Sequence, residues 1–240
     1  MRLLIITFVL VVGLLVVGLL VSVKAPAEPV TYTGTLEPGD MMFQDTDEYY
    51  DLYEIELKAG QFIDLYLSSD AFDTYLLMVT PDGEEISIDD YYTDDTNAGL
   101  LFIARQSGAY TFYVSSHTSG ETGDYEFTCE AIDSELEETF EGELAAGDEV
   151  SWKGGEYFDR YEIQLEPNEK RVLAMDSDDF AVYLSIHQPD GFVDFVYGYP
   201  AADIIEADET GGTYVLIVTS KESKEVGAYT LEVRSLEEQE

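Results

Sequence analysis

Most side chains in this sequence that could do chemistry are carboxylates. Asp70 and Asp73 fall in Ser-Ser-Asp-Ala-Phe-Asp, and Asp178 and Asp179 fall in Asp-Ser-Asp-Asp-Phe. Calcium takes about six to eight oxygens from carboxylates, carbonyls and water in loops of this kind. These four acids are therefore the candidate calcium ligands. Asp45, Asp47 and Glu48 form a further cluster, as do Asp89, Asp90, Asp94 and Asp95. No cluster has the alternating acids, central Gly and distal Glu of an EF-hand. With 51 Asp and Glu in 240 residues, close acidic pairs also arise from number alone. Calcium aside, no cofactor is expected.

Other chemistries have less to build on. Paired carboxylates can hydrolyse glycosides, but that needs a defined separation and one raised pKa. Nucleophilic catalysis needs a base, and the chain has two histidines. His117 sits in the polar turn Ser-Ser-His-Thr-Ser-Gly, and His187 ends an apolar run. No catalytic residue is expected, and the chain reads as a non-enzyme. Cys129 ends the alternation Tyr125-x-Phe127-x-Cys129 and reads as a small buried apolar residue. A single cysteine leaves no disulfide framework. Tyr91 and Tyr92, Tyr197 and Tyr199, and Trp152 are candidate stacking platforms for sugars or partner proteins, or else cover a sheet edge.

The elements that position these groups begin with the N-terminus. Leu3 to Val23 reads LLIITFVLVVGLLVVGLLVSV without a charge. At about 1.5 Å per helical residue such a run spans the roughly 30 Å of a bilayer core. It reads as a membrane-anchoring helix within residues 1–24; the rival reading is a signal peptide cleaved near Ala25-Pro26-Ala27. Either way the rest is exported, leaving a cell-surface or secreted protein. Residues 25–30, with Pro26 and Pro29, read as a stiff linker. The 11 basic residues against 51 acidic ones give a net charge of −40. Nucleic acid is excluded as a partner, because neutralising phosphates takes clustered Lys and Arg.

The exported part is duplicated. Gly34-Thr-Leu-Glu-Pro-Gly-Asp40 recurs as Gly142-Glu-Leu-Ala-Ala-Gly-Asp148. Asp51-Leu-Tyr-Glu-Ile-Glu-Leu57 recurs as Asp159-Arg-Tyr-Glu-Ile-Gln-Leu165, and Pro81-Asp-Gly83 recurs as Pro189-Asp-Gly191. Across Gly34–Gly83, 20 of 50 positions are identical at an offset of 108. Downstream the offset becomes 104, pairing Gly108-Ala-Tyr110 with Gly212-Thr-Tyr214 and Gly123-Asp-Tyr125 with Gly227-Ala-Tyr229. Within each copy, Tyr53, Ile55 and Leu57 alternate with polar residues, as do Ile63, Leu65 and Leu67; this is the period of a half-buried strand. Tyr75 to Val79 is continuously apolar and reads as a strand buried on both faces. Strands are also expected near 100–103, 110–114 and 125–129. Short strands between turn signals predict an all-β fold: two tandem, jelly-roll-like antiparallel β-sandwiches behind one N-terminal hydrophobic helix.

The order Gly-x-Leu…Gly-Asp, Asp-x-Tyr-Glu-Ile-x-Leu, Tyr-Leu…Pro-Asp-Gly, Ser-Gly-x-Tyr-x-Phe-x-Val, Gly-x-Tyr resembles the bacterial and archaeal pre-peptidase C-terminal domain. Both copies fit, at 31–132 and 139–235, with 133–138 as an acidic linker and 236–240 as an acidic tail. The resemblance implies non-catalytic jelly-roll modules, found beside secreted peptidases, some of which bind polymers or calcium. No peptidase domain is present here. The expectation is a membrane-anchored surface protein acting in binding or spacing. Its alternatives are a calcium-dependent adhesion or polymer-binding module, and an accessory acting in trans with a secreted peptidase.

Overall fold

The computed structural model describes residues 22–24, 29–89, 96–151, 154–198 and 201–236. Most of the Leu3–Val23 run therefore lies outside the described residues, as do Asp90 to Asp95, Trp152, Tyr199 and the tail from 237. Ser22 and Val23, the end of that run, lie with Lys24 in a short strand, β1 (Ser22–Lys24), parallel to β4 (Tyr49–Leu57). Among the described residues no helix is long and apolar enough to cross a membrane.

The described chain is all β. The first copy comprises β2 (Val30–Leu36), β3 (Met41–Met42), β4, β5 (Phe62–Ser68), β6 (Thr74–Val79), β7 (Glu85–Ile88), β8 (Ala98–Ile103), β9 (Gly108–Ser116) and β10 (Gly123–Ile132). The second comprises β11 (Ser134–Leu144), β12 (Phe158–Leu165), β13 (Lys170–Asp176), β14 (Val182–His187), β15 (Val193–Gly198), β16 (Ala201–Glu206), β17 (Gly212–Ser220) and β18 (Gly227–Leu236). In the first copy the sheet β2-β10-β5-β8 faces β4-β9-β6-β7; in the second, β11-β18-β13-β16 faces β12-β17-β14-β15. Apart from β1, which extends the second of these sheets in parallel on β4, the pairings are antiparallel. Eight strands crossing between two sheets in this order make a jelly roll.

Each sandwich closes over its own core. Ile63, Leu65, Leu67, Leu76, Met78, Phe112 and Phe127 fill the first. Leu173, Met175, Leu184, Ile186, Leu216 and Leu231 fill the second. Cys129 lies in the first core, as expected, and burial pushes its thiol up to about 12.

Two expectations are corrected. The stretch 133–138 is not a linker: from Ser134 it is the start of β11, paired with β18 through a bulge between Leu136 and Glu138. Its acids sit on an edge strand, where charge is tolerated and discourages pairing with another chain. Tyr75 to Val79 is not buried on both faces. Leu76 and Met78 are in the core, while Tyr75, Leu77 and Val79 are half-buried on the outer face.

A third, smaller apolar cluster joins the copies. Phe62 and Ile103 of the first meet Val172, Ala174 and Ala202 of the second. These residues lie on the outer faces of β5, β8, β13 and β16, so the two sandwiches pack sheet against sheet.

Candidate functional site

The repeated motifs converge on one hydroxyl–carboxylate network in each copy. In the first, the Tyr125 hydroxyl donates to Asp51 Oδ2 at 2.6 Å and lies 2.7 Å from the Tyr53 hydroxyl. In the second, Tyr229 donates to Asp159 at 2.6 Å and lies 2.7 Å from Tyr161. Burial pushes the Tyr53 phenol up to about 12 and drives Tyr125 and Tyr229 further in the same direction. Burial also raises Asp51, against the lowering effect of its bond from Tyr125. Gly34 explains the first glycine of the motif, since a Cβ there would lie 2.2 Å from the Tyr125 hydroxyl; Gly142 stands identically to Tyr229. Phenols this hard to ionise are neither bases nor nucleophiles, so the network clamps β4 to β10 and β12 to β18.

The candidate metal residues are turn residues. Ser69 Oγ donates to the Asp124 carbonyl and accepts from the amides of Ala71 and Phe72. Ser177 does the same with the Ala228 carbonyl and the amides of Asp179 and Phe180. This hydroxyl-capped turn holds exposed Asp70 and Asp178, and Asp179 Oδ2 accepts the Ala228 amide at 2.9 Å. Asp73 lies past the turn, with Oδ1 buried and unpaired, and Glu121 Oε2 is also buried without a hydrogen bond. Asp89 Oδ1 is 3.1 Å from His117 Nδ1. Among the described residues, no three His, Cys, Asp or Glu side chains are placed to hold a metal ion. The histidines are far apart in the fold: His117 closes β9, and His187 ends β14 with Nε2 3.2 Å from Ser185 Oγ.

Sequence reasoning missed the inter-copy contact. Glu232 and Arg234 alternate with Leu231 and Val233, which reads as a solvent-facing row. That row meets the first copy instead. Arg105 Nη1 donates to Glu232 Oε1 at 2.5 Å, and Arg234 Nη1 donates to Glu232 Oε2 at 2.9 Å. Arg234 also reaches the Ser134 hydroxyl and the Gly60 carbonyl. Two of the five arginines are thus spent on one acid that is 9% exposed. Nearby, Asp64 and Glu130 are directly opposite on β5 and β10. Burial raises both carboxyls, and Asp64 raises Glu130 further.

Exposed aromatic side chains cluster on β15 and the residue before it. Phe192, Phe195 and Tyr197 are exposed by 57%, 47% and 52%. The Tyr183 ring on β14 lies 6.1 Å from Tyr197 at an interplanar angle of 14°, and 5.6 Å from Phe195. At the end of the same sandwich, an open cavity of about 420 Å³ is lined by Asn168, Pro189, Asp190, Asp208 and Tyr214 among others. Its Asp208 carboxyl is held below the usual range by the Thr210 hydroxyl and amide.

No family model matches this chain, and no curated protein matches it. Among solved structures, tripeptidyl peptidase 2 aligns over 91% of this chain and 24% of its own, at 7% identity and a TM-score of 0.28. The Penaeus vannamei nodavirus particle aligns over 80% and 84%, at 9% identity and a TM-score of 0.27. The M60 catalytic domain with CBM51 domains of Clostridium perfringens ZmpB aligns over 79% and 34%, at 9% identity and a TM-score of 0.26. The chain thus spans about a quarter of the peptidase. Likenesses this slight establish no relationship, and the jelly-roll assignment stands on the strand order alone.

Proposed function

We propose that the chain is a non-catalytic surface module in which two jelly rolls of the pre-peptidase C-terminal type act as one stiff spacer outside the cell, held at the membrane by the apolar run that begins at Leu3. The observation that carries this reading is the inter-copy seam. Freely hinged modules have little use for a buried Glu232 clasped by Arg105 and Arg234 beside a dry cluster of Phe62, Ile103, Val172, Ala174 and Ala202. Separating the modules would break the Arg105–Glu232 bond and return the apolar cluster to water, and the second of these opposes separation. The family assignment is supported by the interlock of its marker residues, with Gly34 under Tyr125 and Gly142 under Tyr229.

Spin labels at exposed Glu85 and Glu222 test the stiffness on the full chain. A single narrow distance is expected, broadening in Arg105→Ala/Arg234→Ala. A broad distribution in the unaltered protein overturns the spacer. Cleavage of the C-terminal region by externally added protease on intact cells tests its disposition, and full protection overturns it. The calcium-dependent alternative keeps one motive, the unpaired oxygens of Asp73 and Glu121. Calorimetric titration with calcium that gives no heat and no change in melting removes it.

A further inference from the structure

We infer that the outer face of the sheet β12-β17-β14-β15 binds an uncharged polysaccharide, stacking sugar rings on Tyr183, Phe195 and Tyr197. This goes beyond the spacer reading and uses none of the residues of the inter-copy seam.

The strand register lays out the face. One row runs Tyr197, Tyr183, Thr219, Phe158; the next Phe195, Ser185, Ile217, Arg160; the third Val193, His187, Val215, Glu162. The side chains between these point the other way, into the core, as Leu184, Ile186, Leu216, Val218 and Ile163 do. The twelve positions hold two charges, Arg160 and Glu162, and these pair with each other at 2.5 Å. The face is therefore neutral on a chain of net charge −40.

The same face of the first copy shows that neutrality is not imposed by the fold. Its rows are Tyr75, Ser115, Tyr50; Ser87, Leu77, Tyr113, Leu52; and Glu85, Val79, Thr111, Glu54, with Asp89 just past the end of β7. Two acids, Glu54 and Glu85, and no base stand in these rows. The Phe43 ring, in the segment after β3, lies 4.7 Å from Tyr50 and 5.8 Å from Tyr113. On the second copy Ser87 is replaced by Phe195 and Asp89 by Tyr197, which places two exposed rings beside the ring equivalent to Tyr75.

The chemistry selects the occupant. Exposed apolar patches on soluble proteins mark binding surfaces. The nearly parallel rings of Tyr183 and Tyr197 offer electron-rich faces to the C–H groups of a sugar ring. Exposed His187, in the third row, adds a ring nitrogen that can hydrogen-bond a sugar hydroxyl. The surrounding negative field repels anionic polymers, and it opposes association of a second equally charged copy. An open sheet face suits an extended neutral chain.

The test is affinity electrophoresis of the full chain in gels carrying a neutral β-glucan, xylan or mannan, with alginate as the anionic control. Retardation by at least one neutral polymer and none by alginate is expected. Phe195→Ala/Tyr197→Ala should weaken retardation at least tenfold with unchanged melting, because both rings lie outside the core. No retardation by any neutral polymer, or retardation that survives the double substitution, overturns the proposal. Sedimentation showing self-association that the double substitution abolishes would assign the face to a second copy and likewise overturn it.

Discussion

Tyr125→Phe deletes one oxygen from the first copy and is expected to cost far more than a surface change. The ring is 2% exposed, and its hydroxyl joins Asp51 to Tyr53. A hydrogen bond to a charged group contributes about 1.5–3 kcal/mol, and Asp51 is partly solvated, so a loss of about 2 kcal/mol is expected. For a chain of this size, at about 2–4 °C per kcal/mol, the melting temperature should fall by about 4–8 °C. The pH dependence identifies the cause. Asp51 already titrates above its unfolded value because of burial, and the Tyr125 bond restrains that rise. Removing the bond raises it further, so the variant's folded state takes up protons at higher pH than the parent's. The stability difference should be full above the raised carboxyl range and should shrink as pH falls through it. Urea unfolding of both proteins at several pH values measures this. A difference below about 0.5 kcal/mol at pH 7, or a larger one that stays constant down to acid pH, would refute the reasoning. The second outcome would mean that only packing was lost.

Three further predictions bear on the same scaffold. Gly34→Ala and Gly142→Ala should each destabilise by about 1–3 kcal/mol in calorimetry through overpacking against a buried tyrosine ring; an unchanged melt contradicts the close approach. Asp64→Asn should raise the melting temperature at pH 7, because burial lifts this carboxyl and its ionisation opposes folding. Since the folded value lies above the unfolded one, the gain should fade as pH drops below the raised value, and a gain that grows in acid would reverse the argument. Stability should rise from low to molar salt as the repulsion among 51 acids is screened, and a flat profile would show that the charges are already compensated.

The fold was legible because its determinants are local and occur twice. Alternation of Tyr53, Ile55 and Leu57, or of Tyr125, Phe127 and Cys129, states which face of a strand is inward, and the second copy repeats the statement. The N-terminal helix is not among the described residues, so its reading is still an expectation. The acidic start of β11 was misread as linker because edge strands carry the same charges that solvated linkers do. The seam was illegible for a related reason: Glu232 and Arg234 alternate with core residues as any solvent-facing pair would. That their face meets another sheet depends on how two complete domains dock, which no local period encodes. The calcium candidates drew attention by density, yet Ser69 and Ser177 show what that stretch does locally, which is to cap a turn.

Duplication itself separates scaffold from specialisation. Gly34, Asp51, Tyr53 and Tyr125 have identical counterparts in Gly142, Asp159, Tyr161 and Tyr229, and the structure gives each set one role, a clamp between facing sheets. A role shared by both copies belongs to the fold. Differences at equivalent positions carry what each copy does alone. Phe62 of the first has Lys170 as its counterpart in the second, and only the phenylalanine enters the seam. Ser87 and Asp89 have Phe195 and Tyr197 as theirs, and only the second copy presents exposed rings on a neutral sheet. The fold tolerates either choice at both places, because the core beneath is unchanged: Leu76 and Leu184 are equally buried. What the second copy gained on that face therefore did not come from folding, and a surface that folding does not require, on a chain otherwise covered in acid, is where a ligand is to be sought.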